Sequence, residues 1–319
     1  MSLKRKRTME DILKSRAIKF IIGSEKAEFT VHSSCIVALS QTLHPLATSS
    51  GSGETEKIVT WGDVETSTFV NLMEYAYSGD YNVPQLTKKG NTRQAAAQGT
   101  AAGPGMVKKE PESEHASSPA RVNTGQQQKN TDEDEETISL HAWMLDVSEN
   151  GASSEKSSAQ YKFCLQHFSP DTTASDGVIN ESSFATEAWL KDMQQQDCTG
   201  YQAVFDAHMG LYILADKYGI TDLKDLCLRR IRLTLIYATG TDAMADAFFH
   251  TIRIVYGKTP PGDSLRSLLV KYFITDMEWM MREENGIASL LRSVPDFAAD
   301  LLLEIPYDYW VEIKNGRQS

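Results

Sequence analysis

Phe69-Val70-Asn71-Leu72-Met73-Glu74-Tyr75-Ala76-Tyr77-Ser78-Gly79-Asp80-Tyr81 is the stretch on which the reading of this chain turns. Phe69, Leu72, Met73 and Tyr77 recur at i, i+3, i+4 and i+8, the spacing of one helix face, and predict a helix over Thr66 to Tyr77. Gly79 is placed to end it, and Pro84 discourages any continuation. Upstream, Ala17 to Ile22 reads as a buried strand and Ala27 to Val31 as its return, with turn chemistry at Gly23-Ser24-Glu25-Lys26 between them. The pattern Phe29-x-x-His32-x-x-x-Ile36-x-x-x-Ser40-x-x-Leu43 then carries the chain from strand into helix. Cys35, Ile36 and Leu39 mark a helical face over His32 to Leu39. Leu43 and Leu46 extend the apolar surface into a second short helix. Ser49 to Gly53 reads as a loop, and Ile58 to Trp61 as a short strand.

From Gln85 the composition changes. Residues 88 to 137 hold almost no large apolar side chains, so this stretch is expected to be disordered: it cannot bury enough surface to offset its ordering entropy. It ends in the self-repelling block Asp132-Glu133-Asp134-Glu135-Glu136. Residues 138 to 204 recover some apolar content, at Trp143, Met144 and Leu145, at Tyr161 to Phe168 and at Phe184 to Met193, and read as partly ordered. Firm order is expected again near Phe205. Leu211, Leu214, Ala215 and Tyr218 form one helical stripe; Leu223, Leu226, Cys227 and Ile231 form the next. Gly219 would end the first helix and Asp222 would cap the second. Beyond Thr241 the pattern is all-helical. Its stripes are Phe248, Ile252 and Val255; Leu265, Leu268, Leu269, Tyr272 and Phe273; Ile287, Leu290, Leu291 and Val294; and Phe297, Leu301, Leu302 and Ile305. Pro295 suits the first turn of the last helix.

The 319 residues carry a net charge of -11, which disfavours wholesale binding to nucleic acid, because phosphate contacts need a basic surface. No direct nucleic-acid partner is expected. No apolar run is long enough for a membrane span. The N-terminus turns polar at once, as a secretory signal does not, so a cytosolic or nuclear protein is expected. Cys35, Cys164, Cys198 and Cys227 form no Cys-x-x-Cys pair and read as thiols in a reducing compartment.

Taken in order, three pieces resemble a BTB/POZ domain. Phe29, His32, Ile36, Ser40 and Leu43 match the hairpin end and the helix that follows it. Phe69, Leu72, Tyr75, Tyr77 and Gly79 match a second helix. Leu214, Ala215, Asp216, Tyr218 and Leu223 match a helix pair far downstream. The resemblance covers residues 16 to 84 and 205 to 237, together the size of a compact domain of roughly 100 residues. It implies an α+β fold, a small β-sheet capped by a helical stack, followed by an all-helical C-terminal extension. The division it implies is a basic tail at 1–14 and a first domain part at 15–84. An insertion follows at 85–204, disordered over 85–137 and partly ordered over 138–204. A second domain part at 205–237 leads into a helical region at 238–319. The arrangement resembles fungal BTB-domain proteins, which often carry such insertions and a helical C-terminal region. Loops tolerate such insertions because closure entropy grows slowly with length.

The resemblance implies protein partners, an adaptor or scaffold role, and self-association in some members. Recruitment to a cullin ubiquitin ligase and a nuclear regulatory role are the alternatives. Cullin-binding members often carry a hydrophobic-x-Glu element before the middle strand, and Ser52-Gly53-Glu54 lacks the hydrophobe. Swapped dimers of the family carry more chain before the hairpin than the dozen residues here.

Catalysis is not indicated. His32 falls at a strand-to-helix junction, where a half-buried His satisfies backbone groups more often than it acts as a base. Cys164-x-x-His167 is half of a zinc site without a second half. No nucleophile elbow, phosphate-binding glycine loop or His-Glu-x-x-His occurs, and no cofactor is expected. Two short motifs suggest regulation. Lys4-Arg5-Lys6-Arg7 reads either as a nuclear-import signal or as a solvated tail. Val107-Lys108-Lys109-Glu110 matches a SUMO-attachment consensus at Lys108.

Overall fold

The computed structural model describes residues 8–48, 58–88, 138–152, 155–169, 198–282 and 286–310. Strands β1 (Ala17–Ile22) and β2 (Ala27–His32) form the expected hairpin, paired antiparallel from Ala17 opposite His32 to Ile22 opposite Ala27. Strand β3 (Ile58–Trp61) runs parallel to β1 on its other side, giving the order β2-β1-β3. Alternation decides which face is covered: Ile18, Phe20 and Ile22 are buried, while the residues between them are not. The hairpin turn places Lys26 at φ 55, the one non-glycine residue with positive φ among the described residues.

Helix α1 (Met9–Leu13) starts on a capping box, in which the Thr8 hydroxyl and the Asp11 carboxylate satisfy each other's backbone N–H. Helix α2 (Ser33–Leu39) and the short α3 (His44–Thr48) follow the hairpin. Helix α4 (Thr66–Ser78) crosses the sheet and ends on Gly79, whose φ of 84 is left-handed and whose N–H returns to the Tyr75 carbonyl at 2.8 Å. Strand β4 (Thr87–Lys88) pairs antiparallel with β5 (Cys198–Thr199), which brings the two ends of the intervening chain side by side.

Between them, α5 (Leu140–Asn150) and α6 (Glu155–Phe168) fold back onto the main body. Met144, Phe163, Cys164 and Phe168 are buried in its core, and Ser139 bridges to Thr239. Sequence alone left open whether this part joins the core; the structure joins it. Phe184 to Met193 lie outside the described residues.

The long helices α7 (Tyr201–Tyr218) and α8 (Thr221–Tyr237) pack against each other, and α7 lies on α4. The α4–α7 approach depends on Gly210. A Cβ there would sit 2.7 Å from the Thr68 hydroxyl, so a side chain at 210 requires Thr68 to turn away or the helices to separate. The C-terminal helices are α9 (Asp242–Lys258), α10 (Ser264–Thr275), α11 (Met277–Met280), α12 (Ile287–Ser293) and α13 (Pro295–Glu304). One continuous apolar cluster runs from Phe20 and Phe69 through Leu211 and Tyr212 to Phe248, Phe273 and Phe297. The small sheet with its helical stack and the helical C-terminal region are therefore one packed body.

Four local expectations are corrected. Firm order begins at Tyr201, not Phe205, because Tyr201 and Val204 are already fully buried. Asp222 is not the cap of α8: Ile220 holds that position, and Asp222 lies in the first turn, where a carboxylate still favours the helix dipole. The buried face of α4 is Phe69, Leu72 and Ala76, which leaves Met73 and Tyr77 on its flank. Leu302 is exposed, because α13 docks through Phe297 and Leu301 and residue 302 is turned about 100° from 301.

Candidate functional site

The family-type residues fall into two groups. Most are core: Ile36, Leu43, Phe69, Leu72, Ala215 and Leu223 are inaccessible, and Leu214 is nearly so. The Ser40 hydroxyl accepts the Leu43 N–H at 3.3 Å, which shapes the turn into α3. Tyr75 is half-buried, and burial, reinforced by the Asp222 charge, pushes its phenol up to about 12. Tyr218 stacks on Trp61 with ring centroids 4.6 Å apart, and Asp216 accepts from Lys224 at 2.6 Å. The downstream residues thus close the same core as the sheet.

His32 is positioned by one hydroxyl. Its backbone N–H donates to the Tyr77 oxygen at 3.1 Å, and its Nδ1 lies 2.8 Å from the same atom. One phenol oxygen thus serves both the backbone and the ring of His32. Burial raises the Tyr77 phenol, and the His32 N–H partly offsets this. The junction holds the end of β2 against α4.

A shallow groove of about 370 Å³ lies against α4, lined by Phe29, Phe69, Val70, Met73, Glu74 and Tyr77. Its floor is the Phe69 ring, 5.1 Å from Phe29. Val70 is 37% exposed on its wall. Glu74 is held at the rim by the backbone and side-chain N–H groups of Asn82, at 2.8 and 3.0 Å. The lining is almost wholly apolar, with no nucleophile and base in contact, which suits docking of another apolar surface. Sequence periodicity placed Met73 and Tyr77 on the core face of α4. It could not find the groove, because only the packing angle of α4 decides which flank stays open. A second apolar exposure lies at the end of α13 and beyond: Leu302, Leu303 (85% exposed), Tyr307 and Trp310.

A buried polar knot went unanticipated. The Tyr81 hydroxyl lies 2.7 Å from His208 Nδ1. Arg230, itself buried, donates to the Tyr81 carbonyl at 2.6 Å, pairs with Asp80 at 2.7 Å and sits 4.3 Å over the Tyr81 ring. Burial drives the His208 imidazole down to about 3, with Arg230 adding to the effect. The knot ties the segment after α4 to α7 and α8. Its only sequence signals were His and Arg within apolar helical stripes. Cys164 is a buried thiol pushed up to about 12, and among the described residues no group of His, Cys, Asp and Glu is placed to hold a metal. Lys4, Arg5, Lys6, Arg7 and Lys108 lie outside the described residues, as does Ser52-Gly53-Glu54. Among the described residues no helix is long and apolar enough to cross a membrane.

The family model of the BTB/POZ domain matches residues 15–97. No curated protein matches the chain. The match spans the hairpin, α2, α3, β3 and α4 and includes every residue of the groove. The chain carries a BTB/POZ domain, a protein-interaction module.

Proposed function

We propose that this chain is a non-enzymatic adaptor or scaffold that docks a protein partner on the flank of α4. The groove of Phe29, Val70, Met73 and Tyr77 within the matched domain carries this reading. Docking there would bury apolar area at about 25 cal/mol per Å², with Glu74 at the rim favouring a partner that brings a donor or a cation. In this reading α7 and α8 complete the domain begun by residues 15–97, and the acidic block at Asp132 to Glu136 tunes encounter with the partner.

Affinity purification of the tagged full chain from native cells, with mass spectrometry, tests it. Val70→Asp and Met73→Asp are the controls: Val70 is exposed on the groove wall, and Met73 lines the groove while only partly packed on the core. Phe69 and Leu72 are fully buried, and their truncation would cost about 2–5 kcal/mol of fold instead. Partners lost in both variants support the groove as the docking site. Identical recovery with folded variants refutes it. Stoichiometric cullin would move the reading to a ligase adaptor, with the C-terminal helices as substrate binder. Loss of nuclear signal on changing Lys4 to Arg7 to Ala would favour a nuclear role.

A further inference from the structure

Thr8 directly follows the basic run Lys4-Arg5-Lys6-Arg7, so an arginine stands three residues before its hydroxyl, a lysine two before and a methionine one after. Among the described residues no other serine or threonine has an arginine at that distance before it. Thr8 is exposed, and its backbone is extended, with φ -85 and ψ 156. Its hydroxyl donates to the Asp11 carboxylate at 2.7 Å and accepts the Asp11 N–H at 3.2 Å, so both contacts stay within the first turn of α1. Met9, the residue after it, is 57% exposed. Helix α1 has five residues, and Ile12 is its one buried side chain, seated against Cys35 and Ala76. So short a helix is marginal by itself, and its first turn can open without disturbing the sheet. An enzyme that needs this stretch as an extended strand can therefore take it with the body of the fold intact.

We propose that Thr8 is a phosphorylation site for a protein kinase that selects basic residues before its target, and that the phosphate weakens Lys4-Arg5-Lys6-Arg7 as an import signal. The run suits an acidic substrate cleft: a guanidinium such as that of Arg5 presents its N–H groups as a planar fork, which a carboxylate accepts bidentately. In the transfer the bond from Thr8 Oγ1 to the γ-phosphorus of ATP forms. The bond from that phosphorus to the β–γ bridging oxygen breaks, ADP leaves with the electron pair, and the hydroxyl proton passes to the catalytic carboxylate of the kinase. The product carries about -1.5 to -2 charges beside four cations, and so cancels about half the charge of the run. A partner that reads the run through acidic side chains loses attraction in proportion. The phosphate also replaces the proton that Thr8 gives Asp11, so like charges meet in the first turn of α1 and the capping box is lost. The site rests on an exposed hydroxyl and the residues around it; the switch rests in addition on the import reading of the run.

Incubation of the full chain with magnesium–ATP and the catalytic subunit of cyclic-AMP-dependent protein kinase tests the site, read by peptide mass mapping. Thr8→Ala and Arg5→Ala are the variants, and the same map is made on chain purified from native cells. Both changes fall outside the core, and circular dichroism checks that the fold is kept. The expected result is phosphate on Thr8 in the treated and the native chain, added about tenfold or more slowly in Arg5→Ala through loss of a charge-assisted bond. A bare Thr8 in either chain, or Arg5→Ala modified as fast as the wild type, overturns the site. The switch is read by import of the phosphorylated and unphosphorylated chain into nuclei of permeabilised cells, with Lys4 to Arg7 changed to Ala as the control. Phosphorylation should lower import as the control does. If the control lowers import and phosphorylation does not, the switch is refuted. If neither changes it, the import reading of the run falls and the switch with it, while the kinase assay decides the site separately.

Discussion

Removing the Trp61–Tyr218 stack tests whether the matched domain and the distant helix α7 are one cooperative unit. Trp61, on β3, is nearly buried; it stands 5.4 Å from Phe20 and 5.9 Å from Phe69, both edge-on, and lies flat on Tyr218 at 4.6 Å. Trp61→Ala therefore deletes one wall of the sheet core and should cost about 3–5 kcal/mol. Tyr218→Ala should cost less, about 1–2 kcal/mol, because its ring is half-exposed. The stacked pair adds about 0.5–1.5 kcal/mol beyond area burial, so the double variant should be less damaged than the sum by that amount. The neighbouring Lys217–Asp63 pair, at 2.6 Å but largely exposed, persists in all four proteins and contributes little. A stability in the upper part of the ordinary range of about 5–15 kcal/mol keeps all four proteins folded, so urea unfolding followed by circular dichroism can read the whole cycle. Additivity within about 0.3 kcal/mol would refute the coupling. Two separate transitions in the wild type would refute the single unit altogether.

Two further predictions concern acid stability and the hairpin. His208 has a folded pKa of about 3, far below its unfolded value of about 6.5, so between these values the unfolded chain binds more protons and stability falls as pH drops. Its contribution is full above pH 6.5 and should have fallen by about 2 kcal/mol at pH 5. His208→Phe should flatten that part of the stability–pH curve, and an unchanged slope would show that another group sets it. Lys26 holds φ 55 in the hairpin turn, a strain of about 1–2 kcal/mol that glycine relieves at a smaller entropic cost. Lys26→Gly should therefore raise stability by about 0.5–1 kcal/mol in urea melts, and a decrease would mean the Lys26 side chain makes a contact worth more than the strain.

Local pattern determined much of this protein. Alternation in Ala17 to Ile22 and Ala27 to Val31, and helical spacing in Thr66 to Tyr77, sufficed for the hairpin and α4, because strand and helix periods are properties of the backbone itself. Gly79 and Gly219 closed their helices as expected, because each stands at a left-handed position that other residues resist. The tertiary structure alone decided the rest. Whether α5 and α6 join the body depends on the faces that α8 and α10 offer them, at a distance no periodicity spans. The Tyr81–His208–Arg230 knot depends on helices brought together across more than a hundred residues. Which flank of α4 is covered is set by how α7 and the three-stranded sheet pack against it, and that choice leaves Phe29, Val70 and Met73 lining the groove. Sequence specifies a residue's neighbours along the chain; exposure is a property of everything else that packs.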